Sequence, residues 1–134
     1  MTSKVTYLGN LRTECEHIKS NSTFITDAPV DNNGKGEAFS PTDTVATALA
    51  SCMFTIIGIK AEEYGFNIKG AYAEVTKTMA ANPRRISGIK VELNFPGSFN
   101  EKITAIIERS AKNCPVLQSL HPDIELDISF KYNE

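Results

Sequence analysis

Between Lys4 and His17 apolar and polar positions alternate in two short runs. Val5 and Tyr7 stand before a Gly9-Asn10 turn, and Arg12, Thr13, Glu14 and Cys15 follow it, which predicts an antiparallel hairpin. A third extended piece covers Thr23 to Thr26 and ends at Asp27-Ala28-Pro29. The next residues, P-V-D-N-N-G-K-G-E-A, carry no periodicity, and their glycines and asparagines predict a surface loop. From Ser40 to Gly65 the pattern becomes helical. Val45, Ala46, Ala48, Leu49, Cys52, Met53, Phe54, Ile56, Ile57 and Ile59 cover most of the circumference, with no charge between Asp43 and Lys60. A helix apolar nearly all round is expected to be buried nearly all round.

Two extended runs follow that helix. Ala71, Ala73, Val75 and Met79 share a register in the first, over Ile68 to Met79. In the second, Ile86 to Phe95, Ile89, Val91, Leu93 and Phe95 alternate with Lys90, Glu92 and Asn94. Asn82-Pro83 between them predicts a second hairpin. Asn100 is a suitable cap for a second helix, whose apolar face holds Ile103, Ile106, Ile107, Ala111 and Cys114. Pro115 ends or resets it and opens a short helix to Leu120. The last run sets Ile124, Leu126, Ile128, Phe130 and Tyr132 against Glu125, Asp127, Ser129 and Lys131, the pattern of a half-buried strand. Runs of strands separated by helices, without strict βαβ alternation, give an α+β class: antiparallel sheets wrapped around a long central helix, with a second helix beside it.

The long helix has matching start and stop signals. Ser40 can cap free backbone N–H groups, Pro41 has its φ already set, and Asp43 completes a capping box. Gly65 suits the left-handed residue that ends a helix, and Phe66 can pack back on the last turn.

Composition narrows the function without naming one. At 134 residues the chain is expected to form one domain, residues 1–134, able to bury a core without disulfides. A net charge of −2 argues against a general nucleic-acid binder. The longest uncharged run, Thr44 to Ile59, is shorter than the roughly 20 residues of a membrane span, so no membrane partner is expected. Three widely spaced cysteines do not make a secreted disulfide framework, so the expected compartment is a reducing cytoplasm.

The cysteines are the candidate chemistry, and each has a plainer reading beside the reactive one. Cys52 is either a small apolar residue of a buried helix or a reactive thiol. An ordinary thiol is only about 3% thiolate at pH 7, so reactivity requires a neighbouring cation. Cys114 stands just before Pro115, where the free N–H groups of the short helix would stabilise a thiolate, and it also falls on the apolar face of the second helix. Cys15, among charged residues of an edge-like strand, is assigned no role. With only His17 and His121 available and no zinc-type spacing, no metal and no cofactor are expected.

The stretch S-P-T-D-T-V-A-T-A-L-A-S-C over Ser40–Cys52, followed by A-K-N-C-P-V over Ala111–Val116, resembles the OsmC/Ohr family of organic hydroperoxide-reducing proteins. The order of elements resembles that family over nearly the whole chain, and Arg84-Arg85 after Pro83 resembles a turn of its OsmC-like branch. The resemblance implies an OsmC-like fold in an intertwined homodimer with sites at the subunit interface. It implies a thiol peroxidase in which Cys52 attacks an organic hydroperoxide and Cys114 resolves the sulfenic acid as a disulfide, with a dithiol as reductant. The family's thiol-activating glutamate follows the helix proline, and here that position is Thr42 with Asp43 next. The activating arginine expected in the upstream loop is absent, which leaves Asp43, Lys35 and Arg12 as candidates for that role. A non-catalytic dimer holding a small hydrophobic ligand is the alternative.

Overall fold

The computed structural model describes residues 1–133. In chain order the elements are β1 (Ser3–Gly9), β2 (Arg12–His17), β3 (Thr23–Asp27), α1 (Pro41–Tyr64), β4 (Tyr72–Ala80), β5 (Arg85–Phe95), α2 (Glu101–Ala111), α3 (Pro115–Ser119) and β6 (Glu125–Tyr132). The strands form two three-stranded sheets, β1-β2-β3 and β4-β5-β6. The α+β class is as the hydrophobic pattern predicts. The chain divides into two compact units, Met1–Val45 and the part from Ala46 onward.

In the first unit, β1 and β2 join through the expected turn, where Gly9, Asn10 and Leu11 all have positive φ. β3 then adds antiparallel to β2 with Arg12 opposite Asp27. Val5, Cys15 and Phe24 lie side by side across this sheet, and Val5, Tyr7 and Phe24 are exposed. The loop after β3 returns upon itself. The Asp27 N–H donates to the Phe39 carbonyl at 2.9 Å and the Gly36 N–H to the Ala28 carbonyl at 3.1 Å. Gly34 sits so close to the chain that an added Cβ would run into the Ala28 carbonyl. The loop delivers Ser40 to the start of α1 as a full capping box. The Asp43 N–H donates to Ser40 Oγ and the Ser40 N–H to Asp43 Oδ2, both at 3.0 Å.

The second unit is built on α1 and the β4-β5-β6 sheet. Gly65 ends α1 with φ +74°, and the N–H groups of Gly65 and Phe66 both donate to the Ala61 carbonyl. Ala46, Leu49, Ala50, Met53, Ile57 and Ala61 form one buried stripe at spacings of three and four residues. Ile89, Val91, Leu93 and Phe95 of β5 and Ile107, Ala111 and Cys114 complete that core. Burial all round α1, expected from its composition, is not what the single chain has: Val45 and Ile59 are 40% and 56% exposed. A stripe on one side meets the sheet, Cys52, Phe54 and Ile56 beside it are partly buried against the same core, and Val45 and Ile59 stay exposed. α1 is long and apolar enough to cross a membrane by length and composition alone, but Leu49, Met53 and Ile57 are fully buried in this core.

β4 and β5 form the expected antiparallel hairpin, with Arg85 Nη1 donating to the carbonyls of Ala81 and Pro83 across its turn. The antiparallel expectation fails for β6, which pairs parallel with β5 from Gly88↔Glu125 to Phe95↔Tyr132. The physical reason is the connection. The chain leaves the end of β5, passes through α2 and α3, and returns beside its start, and such a crossover sets strands parallel. The side-chain alternation of β6 is unaffected: Leu126, Ile128, Phe130 and Tyr132 are half-buried and the residues between them exposed. Asn100 caps α2, its side chain accepting from the Ile103 N–H at 2.9 Å. Phe95 is the centre of an aromatic cluster. It stacks on Tyr132 at 5.2 Å and 15° and meets Phe54 and Phe99 edge-on at 6.3 and 6.5 Å.

Candidate functional site

Cys52 and Cys114 come from elements far apart in sequence, and the fold of the second unit brings them together at one core, close enough for Cys52 to influence the Cys114 thiol. Cys52 sits on α1 one turn beyond Leu49, so it flanks the buried stripe and is itself only half-buried. Cys114 is fully buried. It occupies the N-cap position of α3 in an extended conformation (φ −70°, ψ 148°), with Pro115 opening the helix behind it. Its carbonyl accepts from the Gln118 N–H at 3.1 Å.

The cap position was expected to stabilise a Cys114 thiolate, and the net effect runs the other way. Burial pushes the Cys114 thiol up from its ordinary value, and the adjacent Cys52 adds to the rise. The N–H groups of Leu117 and Val116 oppose this. Loss of water around a charge outweighs two backbone donors at the first turn of so short a helix.

The three candidate activating residues belong to the first unit. Arg12 is engaged by two carboxylates: its Nη2 reaches Glu37 Oε1 at 2.6 Å and Asp27 Oδ2 at 3.4 Å. Asp27 is the residue that reading the sequence missed. It looked like a turn former before Ala28-Pro29, yet its side chain is fully buried. Its Oδ2 also accepts from the Glu37 N–H at 3.0 Å, while Oδ1 has no hydrogen-bond partner among the described residues. The Glu37 N–H holds the Asp27 carboxyl below the usual carboxylate range, and Arg12 adds to this against the opposing effect of burial. The only signal that could have exposed this pair is the hairpin register placing Arg12 opposite Asp27. Asp43 serves the capping box of α1. Lys35 is exposed in the loop.

No described group of three or more His, Cys, Asp or Glu side chains is arranged to hold a metal. A depression of about 500 Å³ on the β1-β2-β3 sheet is lined by Val5, Cys15, His17 and Phe24 among others, and contains neither thiol of the pair.

Comparison with known proteins bears on this arrangement at two levels. Among solved structures, one named for an osmotic stress induced and detoxification response protein from Psychrobacter arcticus 273-4 is 55% identical, with a TM-score of 0.94 over 97% of this chain and 95% of that one. An organic hydroperoxide resistance protein from Legionella pneumophila is 16% identical, with a TM-score of 0.75 over 98% and 97% of the two chains. One from Elizabethkingia anophelis is 14% identical, with a TM-score of 0.76 over 99% and 97%. At those lower identities the likeness is one of fold. No curated protein matches the chain. The profile of the family described as OsmC-like protein matches residues 34–129, a span that takes in α1, both thiols, β4, β5 and the first part of β6, and the chain therefore belongs to that family.

Proposed function

We propose that this chain is a cysteine-based peroxidase acting on organic hydroperoxides. The observation that carries the reading is the pairing of two thiols of unequal exposure, Cys52 half-buried and Cys114 fully buried, within one apolar core. The Cys52 thiolate attacks the terminal peroxide oxygen, the O–O bond breaks, and the alkoxide leaves as an alcohol after taking a proton. Cys52 is then a sulfenic acid. Cys114 sulfur attacks it, water departs, and a Cys52–Cys114 disulfide results. A dithiol returns both cysteines to thiols at the expense of its own oxidation. The apolar wall around the pair suits a hydroperoxide with an organic tail rather than hydrogen peroxide.

Arg12 and Lys35 are proposed as the cations that favour the Cys52 thiolate, with Arg12 preferred for its permanent charge and forked donors, and Asp43 as the carboxylate that would orient such a cation. The working form is proposed to be a homodimer in a reducing cytoplasm. The exposed apolar side chains of Val45 and Ile59 on α1 and of Val5, Tyr7 and Phe24 on the first sheet support association with a second copy.

The test is loss of an organic hydroperoxide with dithiothreitol as reductant. Wild type consumes it catalytically and Cys52→Ser falls to the uncatalysed background. Turnover that survives Cys52→Ser refutes the proposal.

A further inference from the structure

Thiol–disulfide exchange needs the attacking thiolate to reach one particular sulfur along the S–S axis. The two sulfurs here are not equally reachable. Cys114 has no exposed surface, shut in by its own chain's core of α1, β5 and α2, while Cys52 is half-buried in the single chain and, in the dimer proposed above, stays reachable by the route through which the hydroperoxide reaches it. Resting on the peroxidase reading above, we propose that the Cys52–Cys114 disulfide is opened from one side only, the reductant bonding to the Cys52 sulfur and the Cys114 sulfur leaving.

The reductant thiolate forms a bond to Cys52 Sγ, the Cys52–Cys114 bond breaks, and its electron pair goes to Cys114, which takes up the proton the reductant thiol released. With a dithiol, the second thiolate attacks the donor's own sulfur in the mixed disulfide. Cys52 departs as a thiolate, and the donor leaves as a cyclic disulfide, oxidised by two electrons. A monothiol cannot take that second step within one molecule, so it stops at a mixed disulfide on Cys52 until a second molecule arrives.

The surroundings of Cys114 shape both directions of this exchange. The backbone N–H groups of Val116 and Leu117 in the first turn of α3 favour the charge as it leaves. Once protonated, the sulfur lies in an apolar enclosure that disfavours ionising it again, so its return attack on the mixed disulfide is slow. The Cys52 adduct is therefore long-lived enough to be intercepted.

The experiment uses the wild-type protein, oxidised with diamide so that no peroxide chemistry is involved. After removal of excess diamide it is exposed briefly to glutathione, quenched and unfolded in acid, blocked with N-ethylmaleimide, and mapped by peptide mass spectrometry. The expected product carries glutathione on Cys52 and maleimide on Cys114, exceeding the reverse arrangement by at least about tenfold, because exchange rates follow access to the attacked sulfur. Glutathione on Cys114, or on both cysteines equally, overturns the proposal. Failure of diamide to form the Cys52–Cys114 disulfide overturns it together with the peroxidase reading, since both need the pair. Glutathione on Cys52 in a protein that reduces no hydroperoxide supports one-sided opening and overturns the peroxidase reading alone.

Discussion

Replacing Phe95 with alanine tests whether the aromatic cluster is the mechanical centre of the second unit. Its ring is fully buried, stacked on Tyr132 and met edge-on by Phe54 and Phe99. Removing a buried phenyl costs roughly 3–5 kcal/mol when neighbours cannot collapse into the space. Collapse is obstructed here because Tyr132 is tied at its other end, its hydroxyl donating to Glu108 Oε2 at 3.0 Å. Phe95→Leu keeps most of the volume and loses only the ring–ring contacts, each worth about 0.5–1.5 kcal/mol. Those contacts share one ring and are not additive, so about 1–2 kcal/mol is expected for leucine. At roughly 2 cal/mol/K of unfolding entropy per residue, a chain of 134 residues loses about 3–4 °C of Tm per kcal/mol. Alanine should therefore lower Tm by about 10–18 °C and leucine by about 3–8 °C. Urea and thermal unfolding followed by far-ultraviolet circular dichroism will measure both, at one fixed protein concentration because association adds to apparent stability. A loss under about 1 kcal/mol for alanine, or equal losses for the two variants, would show that the ring does not fill the core as described.

Two further expectations concern the first unit. The Asp27 carboxyl lies below its unfolded value, so the folded state binds fewer protons there. Its contribution to stability is complete above the unfolded pKa of about 3.9 and is lost as pH falls through the folded value. Asp27→Asn should lower stability at neutral pH and flatten the acid limb of a urea-midpoint profile. A profile merely parallel to wild type sinks the assignment. Gly34→Ala places a methyl group against the Ala28 carbonyl and forces the loop apart. Trypsin should then cut after Lys35 severalfold faster, and an unchanged rate means the loop has room for a side chain.

What the sequence disclosed was decided by local physics. The capping box of Ser40 and Asp43, the left-handed Gly65, the Asn100 cap and the placement of Cys114 before Pro115 each depend on neighbours in the chain, and each is found where the pattern puts it. The direction of β6 was not legible, because side-chain alternation is the same for parallel and antiparallel strands. Nor was the one-sided burial of α1, since composition says how much apolar surface a helix has and not what covers it. At the candidate site, the thiol pair was expected from a resemblance and not from spacing. The Arg12–Asp27–Glu37 cluster escaped notice because an aspartate before Ala28-Pro29 has a sufficient local explanation as a turn residue.

The stacked ring of Tyr132 also makes the molecule its own optical probe. The chain has no tryptophan and four tyrosines, and Tyr7, Tyr64 and Tyr72 are 65%, 43% and 55% exposed. Tyr132 alone among them is fixed by a stacked neighbour and a hydroxyl hydrogen bond, and burial followed by Glu108 keeps that hydroxyl protonated well beyond its ordinary range. A ring held in one asymmetric setting gives near-ultraviolet ellipticity, which vanishes when side-chain packing loosens even while helices persist. The signal is thus local by construction: it reports whether Tyr132 is still seated on Phe95, without any label having to be attached.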